Sequence, residues 1–450
     1  MDCVWLVLDS LSMAATPFGD GGPNTLRRLE DLVSKEGVLF TNAYAPGPFS
    51  PSSHASFMTG QLPSQVGMNE ASPYFDGNYR TIADIYDTSK QSTLISVNPF
   101  LFNGLHREFG TVDKLMSEEY LIFEGGTNPR TFGAKNRTLS RAERYWKFLF
   151  QENAPFRSFV NGVAFKLWHR LDKTVVAGER SDSSGEYQQA EIINDRIEAA
   201  VDQPDDSFVL ANYMDVHPPF DVTDESLERF ADDWDREELP IGNSARDADT
   251  FNQKAMYDLY LSAVADLDRR ITPLIRSLIN NGVTVFVTSD HGPWFATEAL
   301  DEERLNVPLI IFDSEEPART VDHTVSLRAL PHTTERLVHS CDSSFPGYDL
   351  LDVTTDQTVV SEHVHRDTSG RGPFTADEGT DTEITNDIVV REGTDYVTRI
   401  DGHWKSSAAE EIAVKLREHA ESVLSHSPTR DGTVMHGSEM KERLEDLGYI

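Results

Sequence analysis

Two short apolar segments, far apart in the chain, each run directly into an acidic residue. Residues 4–8 (VWLVL) precede Asp9, and residues 285–289 (VFVTS) precede Asp290 and His291. Continuous apolar and β-branched runs of this length are typical of strands buried in a parallel sheet. In open α/β sheets, the polar groups that do chemistry lie just beyond the carboxyl ends of such strands. The sequence therefore predicts an α/β fold in which these three polar residues share one crevice.

A hydroxyl-rich turn at residues 49–60 runs straight into a predicted short helix and supplies a nucleophile, Ser50. Two carboxylates and an imidazole suit a divalent cation. A serine beside such a cation loses its proton more easily, and the cation polarises an ester under attack. If Ser52 or Ser53 caps the helix, its first N–H groups face a tetrahedral anion. We expect His54 to orient or activate Ser50 in a metal-dependent esterase acting on sulfate or phosphate esters.

Seven segments, in this order, resemble the sulfatase branch of the alkaline phosphatase superfamily. They are residues 8–11, 23–29, 40–46, 51–60, 213–219, 289–292 and 444–449. The resemblance implies an alkaline-phosphatase-like fold, in which a mostly parallel central sheet is flanked by helices and a small C-terminal α+β subdomain follows. We expect a catalytic domain at residues 1–352, with a variable insert at about 116–185, and the subdomain at 353–450.

The resemblance also implies a set of site residues. Ser50 aligns with the nucleophile of the family, and one divalent cation is expected between Asp9, Ser50, Asp290 and His291. The cation is Ca²⁺ if the chain is sulfatase-like, and Mn²⁺, Mg²⁺ or Zn²⁺ if it belongs with the phospho-ester enzymes. His217, followed by two prolines, resembles the histidine that contacts the ester and protonates the leaving oxygen. The alternative for His217 is a purely structural role.

Asn98 and Asp215 follow two further predicted strands, at residues 93–97 and 208–213. Their positions make them candidates for substrate binding in the same crevice. Each also has a simpler interpretation, because asparagine and aspartate commonly stabilise turns and loops by hydrogen bonding to the backbone.

Three features differ from the sulfatase pattern. Ser52 and His54 stand where the maturation signature has proline and arginine, which argues against formylglycine at Ser50. Ser10 stands where sulfatases have a second aspartate, and residues 293–306 form a short loop without histidine or lysine. These differences favour a phospho-ester substrate. They leave two alternatives open: a phospho-ester transferase using a covalent phospho-serine, and a non-catalytic protein that keeps the fold for binding.

The charge of the chain is strongly unbalanced, with 75 acidic against 40 basic residues and a formal net charge of −35. At about 1 M salt the Debye length falls to ~3 Å, which screens such repulsion. We therefore expect a salt-adapted, haloarchaeal source; the alternative is an acidic mesophilic protein. The same charge argues against nucleic acid or anionic membranes as partners. A small-molecule or saccharide sulfate or phosphate ester is the expected substrate.

The chain has only 2 cysteines, so a disulfide framework is not expected. The first predicted strand begins almost at Met1, and no apolar run approaches the ~20 residues of a membrane helix. We expect a cytoplasmic protein without a membrane span.

Three regions outside this site are open to more than one interpretation. Residues 116–185 are rich in aromatic and basic residues, which is consistent with a lid, a packed helix pair or a partner surface. Residues 221–249 are acidic and poorly patterned, and are predicted to form a solvated loop. His363 and His365 lie on one face of a predicted strand but have no carboxylate partner in the sequence pattern, so a metal site is not expected there.

Overall fold

The computed structural model describes residues 1–86, 91–115, 147–148, 157–158, 189–241, 252–295, 298–366 and 384–426. The chain divides into two compact units, one made of residues 1–113 and 188–450 and the other of residues 114–187. The elements below belong to the first unit, except that one strand ends on residue 114. Most of the predicted insert at 116–185 lies outside the described residues, and the predicted boundary at 352 stays a prediction.

Within the described residues, nine strands form the central sheet. In chain order they are β1 (Cys3–Leu8), β2 (Val38–Tyr44), β3 (Ser92–Ser96), β4 (Thr111–Lys114), β5 (Phe208–Tyr213), β6 (Thr284–Thr288), β7 (Asn306–Phe312), β8 (Arg319–Val321) and β9 (Val325–Ser326). The spatial order is β4-β3-β5-β1-β6-β7-β2-β8, and β9 pairs with β2. β7 runs antiparallel to both of its neighbours, β6 and β2.

The strands that precede the predicted site residues run in the same direction. β1 pairs in parallel with β5 and with β6, and β3 pairs in parallel with β5. Their carboxyl ends therefore meet at one edge of the sheet, which is where chemistry is expected in this type of fold. The prediction of a mostly parallel α/β sheet is confirmed.

The described residues also form nine α-helices, the last of which packs on the C-terminal sheet. They are α1 (Arg27–Glu36), α2 (Ser50–Thr59), α3 (Pro63–Val66), α4 (Gln189–Val201), α5 (Asp224–Phe230), α6 (Gln253–Asn280), α7 (Glu302–Leu305), α8 (Leu330–His339) and α9 (Glu410–His426). In the part of the chain that the structure describes, none of them combines the length and apolar character that a bilayer crossing requires.

The predicted long helix at residues 252–280 is confirmed as α6. The side chain of Asn252 caps its first turn by accepting a hydrogen bond from the backbone N–H of Lys254. The predicted loop at residues 221–249 is wrong in part, because α5 lies within it. Thr223 caps α5, Leu227 is buried, and Asp266 of α6 accepts from the N–H and hydroxyl of Thr223 at 2.6 and 2.9 Å, so tertiary contacts order this acidic segment.

Aromatic packing anchors α2 on the centre of the sheet. Trp5 of β1 is buried, and its ring centroid lies 6.1 Å from that of Phe57 on α2. It also lies 5.4 Å from Phe208 of β5 and 5.9 Å from Phe286 of β6. Aromatic pairs of this kind contribute about 0.5–1.5 kcal/mol each beyond their buried area. The helix that carries Ser50 is therefore held against the strands that carry the acidic residues.

A separate antiparallel sheet forms the C-terminal part. It comprises β10 (Val359–Arg366), β11 (Ile384–Glu392), β12 (Asp395–Ile400) and β13 (His403–Ser406), in that spatial order. α9 covers one face, where its buried Leu416 belongs to the same apolar cluster as Ile388 and Val397. The predicted small α+β element is confirmed. Cys3 is buried in β1 and Cys341 is exposed, and both are free thiols.

Candidate active site

Ser50 is the first residue of α2, and Phe49 precedes it as the N-cap residue with an extended backbone. The prediction that Ser52 or Ser53 caps this helix is wrong, because the helix begins earlier and both residues lie inside its first turn. The Ser52 hydroxyl donates to the Phe49 carbonyl at 2.8 Å. The Ser53 hydroxyl donates to the backbone carbonyl of Asp290 at 2.6 Å, which ties α2 to the end of β6.

The structure brings Asp9, Asp290 and His291 together at the carboxyl edge of the sheet. One ligand atom from each lies within 4.8 Å of the others. All three are buried, with exposed fractions of 0%, 0% and 2%. The Ser50 hydroxyl joins them, since its Oγ lies 3.3 Å from His291 Nε2. Residues from β1, α2 and β6 thus converge on one point, as the sequence predicts.

The hydrogen bonds of His291 define which ring nitrogen faces Ser50. Its Nδ1 lies 2.8 Å from the carbonyl oxygen of Gly292, and only a protonated nitrogen can donate to that acceptor. Burial, assisted by the positive charge of Arg304, lowers the pKa of His291 to about 3. The ring is therefore neutral, and its Nε2 lone pair accepts a hydrogen bond from the Ser50 hydroxyl. The same lone pair is the one available to a cation.

Asp290 has one oxygen satisfied by the backbone and one that lacks a donor. Its Oδ1 accepts from the backbone N–H of Ser10 at 3.0 Å and from its neighbour His291 at 2.9 Å. Within the described residues, its buried Oδ2 has no hydrogen-bond partner. It lies 3.4 Å from His291 Nε2 and 3.6 Å from His54 Nδ1. A buried carboxylate oxygen without a donor is costly, so this atom and the two-carboxylate, one-imidazole donor set fit a divalent cation.

Asp9 is oriented by two side-chain amides, one from β5 and one from the turn after β3. Its Oδ2 accepts from Asn98 Nδ2 at 2.7 Å and from Asn212 Nδ2 at 3.3 Å. Asn98, predicted to bind substrate, therefore contacts a candidate metal ligand, and partners of this kind orient and tune such ligands. Asn212 is not among the site residues predicted from the sequence. Its only signal is a polar residue inside the otherwise apolar strand β5.

Ser10 connects the two carboxylates. Its backbone has φ 66°, in the left-handed region that residues other than glycine seldom adopt. This conformation points its N–H at Asp290, while its hydroxyl donates to Asp9 Oδ1 at 3.1 Å. At the position where sulfatases have a second aspartate, this chain thus has two hydrogen-bond donors.

His54 is fully buried beside this cluster. Its Nδ1 lies 3.0 Å from the backbone carbonyl of Ser50, to which it donates across one turn of α2. The structure therefore connects His54 to the main chain of Ser50 and places it near Asp290. This geometry suits a positioning role, and the predicted role of His54 in orienting Ser50 stays a prediction.

His217 and Asp215 follow β5, as predicted. His217 Nδ1 donates to the Pro218 carbonyl at 2.6 Å. Burial lowers the pKa of His217, although the nearby charge of Asp9 opposes this shift.

Asp215 pairs with Arg270 of α6 at 3.1 Å. Burial raises the Asp215 pKa and Arg270 acts against that shift. The pair connects β5 to α6, whereas the predicted substrate contact of Asp215 stays a prediction.

Arg304 brings a positive charge to the site, and the sequence alone does not reveal it. The residue is 1% exposed, and its Nε donates to the Pro48 carbonyl at 2.9 Å. Its guanidinium carbon lies 4.7 Å from the centroid of the Phe49 ring. A side chain at Gly292 would collide with the Glu303 carbonyl, so glycine allows the Arg304 segment to approach. In the sequence, Arg304 is one more charged residue in an acidic loop.

Comparisons with known proteins agree with this architecture. A family model described as Sulfatase matches residues 2–340. No curated protein matches the chain. Among solved structures, the chain is similar to the phosphonate monoester hydrolase of Agrobacterium radiobacter, with 16% identity, TM-score 0.62 and coverage of 94% of this chain and 95% of that one.

Two further solved structures are similar over nearly their whole length. One is the phosphonate monoester hydrolase of Silicibacter pomeroyi, with 15% identity, TM-score 0.61 and coverage of 96% of both chains. The other was solved with its substrate D-glucosamine-2-N,6-O-disulfate, with 14% identity, TM-score 0.58 and coverage of 99% and 98%. At these identities the likeness establishes the fold, and it confirms the fold predicted from the sequence.

Proposed function

The chain belongs to the sulfatase family, and we propose that it is a metal-dependent hydrolase of sulfuric or phosphoric esters with Ser50 as its nucleophile. One observation carries the proposal. The Ser50 hydroxyl lies 3.3 Å from His291 Nε2, beside the two buried carboxylates of Asp9 and Asp290. A buried hydroxyl at the edge of an Asp/Asp/His cluster is the arrangement expected of an activated nucleophile.

Asp9, Asp290, His291 and Ser50 would hold one divalent cation. When bound, such a cation polarises the ester oxygen and stabilises negative charge on the serine oxygen. The expected ion depends on the substrate: Ca²⁺ for a sulfate esterase, and Mn²⁺, Mg²⁺ or Zn²⁺ for a phospho-ester enzyme.

The reaction begins when Ser50 Oγ forms a bond to the phosphorus or sulfur atom and gives up its proton. The bond to the leaving alcohol breaks, and the alcohol oxygen gains one proton. A side chain must therefore carry a proton from Ser50 Oγ to that leaving oxygen. We assign this role to His217, because its buried ring lies within the electrostatic influence of both Asp9 and Asp290. Water then cleaves the serine ester and restores Ser50.

Arg304 would stabilise the anionic oxygens of the substrate. A protein with a formal net charge of −35 repels an anionic ester at long range, so binding needs a local positive charge. Arg304 is buried, where its field is weakly screened, and it lowers the pKa of His291 after the larger effect of burial. The positive charge of Arg304 therefore acts on the groups around His291.

Replacing Arg304 by glutamine should reduce kcat/KM by about 10²–10³-fold, the usual effect of losing one stabilising donor at a developing anion. Arg304→Lys should recover part of the loss, because lysine keeps the charge but not the fork of donors. The measurement is steady-state kinetics on an aryl phosphate, with thermal unfolding to verify the fold. Arg276→Gln, at an exposed position of α6, is the matched control. Equal kcat/KM in folded Arg304→Gln and the parent would exclude this role.

The choice between sulfate and phosphate esters depends on the chemical state of Ser50. Ser52 and His54 replace the residues that formylglycine maturation requires, so we expect peptide mass spectrometry to find an unmodified or phosphorylated serine. We also expect aryl phosphate mono- or diesters to turn over faster than aryl sulfates in high salt with added divalent cation. A peptide that lacks two hydrogens at Ser50 would support the sulfatase branch. Absence of both bound cation and turnover would support the binding-module alternative.

A saccharide ester is the proposed substrate class. The structural neighbour solved with disulfated glucosamine binds an esterified sugar, and it matches this chain over nearly its whole length. If Ser50 carries a covalent phosphate, transfer to an acceptor alcohol is the second candidate reaction, because water and an alcohol can attack the same intermediate. The proposed setting remains the cytoplasm of a salt-adapted organism.

A further inference from the structure

A second cluster of histidines and carboxylates lies on the C-terminal sheet. The expectation that His363 and His365 have no carboxylate partner is wrong. In the register of β10 and β11, Asp387 lies directly opposite His363, and its Oδ2 is 3.1 Å from His365 Nε2. Glu70, from the loop after α3, places its Oε2 2.7 Å from His363 Nε2. Each imidazole therefore has a carboxylate oxygen within hydrogen-bond distance.

The four side chains form a compact, partly open group. The rings of His363 and His365 are stacked, with centroids 4.1 Å apart and an interplanar angle of 21°. One ligand atom from each of His363, His365 and Asp387 lies within 4.8 Å of the others. The carboxylate side chains of Glu70 and Asp387 are 8% and 7% exposed, and the two imidazoles are 15% and 20% exposed. The acids are thus buried, whereas the nitrogen ligands remain accessible to an ion from solvent.

We propose that Glu70, His363, His365 and Asp387 form a second divalent metal site, suited to Zn²⁺. Two imidazole nitrogens with one or two carboxylate oxygens are the donors of tetrahedral zinc sites, whereas Ca²⁺ and Mg²⁺ prefer oxygen ligands only. Both imidazoles can bind one cation as neutral ligands, and metal binding would release any proton that the rings share with the carboxylates.

The location of this cluster suggests what the ion does. The ring centroid of Phe49, the residue before the nucleophile, lies 5.5 Å from that of His363 and 6.2 Å from that of His291. The Glu70 loop also pairs with β10, since the Ala71 N–H donates to the Val364 carbonyl at 3.3 Å. A metal ion here would link β10, β11 and this loop, on the other side of the Phe49 ring from His291. The inference goes beyond the proposed esterase activity and does not depend on it.

The test counts Zn²⁺ ions bound per chain and uses Co²⁺ absorption as a second probe. The full-length chain is stripped with chelator and compared with three variants: Asp290→Asn, which disables the first site; His363→Gln/His365→Gln; and all three substitutions together. We expect the Asp290→Asn chain to retain one Zn²⁺ ion. In the triple variant, affinity for this ion should fall by at least ~100-fold, and the tetrahedral Co²⁺ spectrum should disappear. His403→Gln, an exposed histidine of β13, is the matched control and should change neither.

Two results would overturn the proposal. One is an Asp290→Asn chain that binds no Zn²⁺, and the other is equal Zn²⁺ affinity with and without the two histidines. If the double substitution prevents folding, the single variant His365→Gln replaces it, because glutamine preserves a hydrogen bond to Asp387 but removes one metal ligand. If Asp290→Asn loses ester turnover but still binds Zn²⁺, the loss concerns the first site only. Failure of the esterase proposal can therefore be distinguished from failure of the second metal site.

Discussion

Replacing Ser50 by alanine should reduce ester turnover by about 10⁴-fold or more while the protein remains folded. The substitution removes the oxygen that would attack the ester, and no other hydroxyl is expected to replace it. The fold should tolerate the change, because the hydrogen bond that Ser50 Oγ makes within the described residues is a long one, 3.3 Å to His291, and alanine favours a helix. Loss of one such hydrogen bond costs about 0.5–1.5 kcal/mol of unfolding free energy.

The measurement is kcat for an aryl phosphate and an aryl sulfate, together with the midpoint of thermal unfolding. Ser52→Ala is the matched control, because its hydroxyl lies in the same helical turn but donates to the Phe49 carbonyl at 2.8 Å. That variant should keep kcat within a few-fold of the parent. Turnover by Ser50→Ala at the parental rate would show that Ser50 is not the attacking group.

Replacing Asp290 by asparagine should abolish cation binding at the Asp9 site and reduce kcat by about 10³-fold or more. The asparagine can still accept at Oδ1 from the backbone of Ser10 and His291, so the local fold is preserved. Its Nδ2 replaces the oxygen that lacks a donor, and one of two neighbouring negative charges disappears. Without metal, the variant should therefore be at least as stable as the parent.

With metal, the order of stability should reverse. A cation at 100 times its Kd adds about 2.7 kcal/mol to the unfolding free energy of a chain that binds it only when folded. The parent should gain this stability on addition of a divalent cation and lose it with chelator. The comparison is made in the background of His363→Gln/His365→Gln, so that only the first site contributes. Asp290→Asn should show no gain.

Asp268→Asn provides the matched control for a buried carboxylate. Asp268 accepts backbone hydrogen bonds from Arg28 and Leu29 at 2.9 Å each, but it lies outside the Asp9 cluster. This substitution should lower stability by the same amount with and without metal, because it disturbs the start of α1 and no ligand. An equal metal-dependent gain in Asp290→Asn and the parent would exclude Asp290 as a ligand.

Several parts of the site could be predicted from the sequence because they follow a local rule. Asp9 and Asp290 each terminate a short apolar strand, and parallel strands in an open sheet present their carboxyl ends at one edge. A short helix beside Ser50 was expected from the hydroxyl-rich segment 49–60, although the helix begins at Ser50 itself. Each feature is visible in a short stretch of sequence. Only the assumption that the two strands are neighbours in the sheet goes beyond that stretch.

Other contacts have no local signal. The first residue of α2 depends on where Phe49 leaves its extended conformation, so the predicted serine cap was wrong by a few residues. Asn212 orients Asp9 only because β5 is the neighbour of β1. Arg304 lies close enough to influence the pKa of His291 only because Gly292 lets the two segments approach closely. Each of these contacts joins residues that are distant in the chain.

By itself, then, the sequence determined the class of fold, the edge of the sheet at which the acids meet and the serine that lies beside them. Those properties follow from hydrophobic periodicity and from the direction of strands, which short stretches of chain encode. The tertiary structure alone decided which groups orient the acids, where a positive charge enters and that Asp387 and Glu70 meet the paired histidines. Such contacts depend on strand register and loop approach, where a shift of one residue would move each side chain to the opposite face.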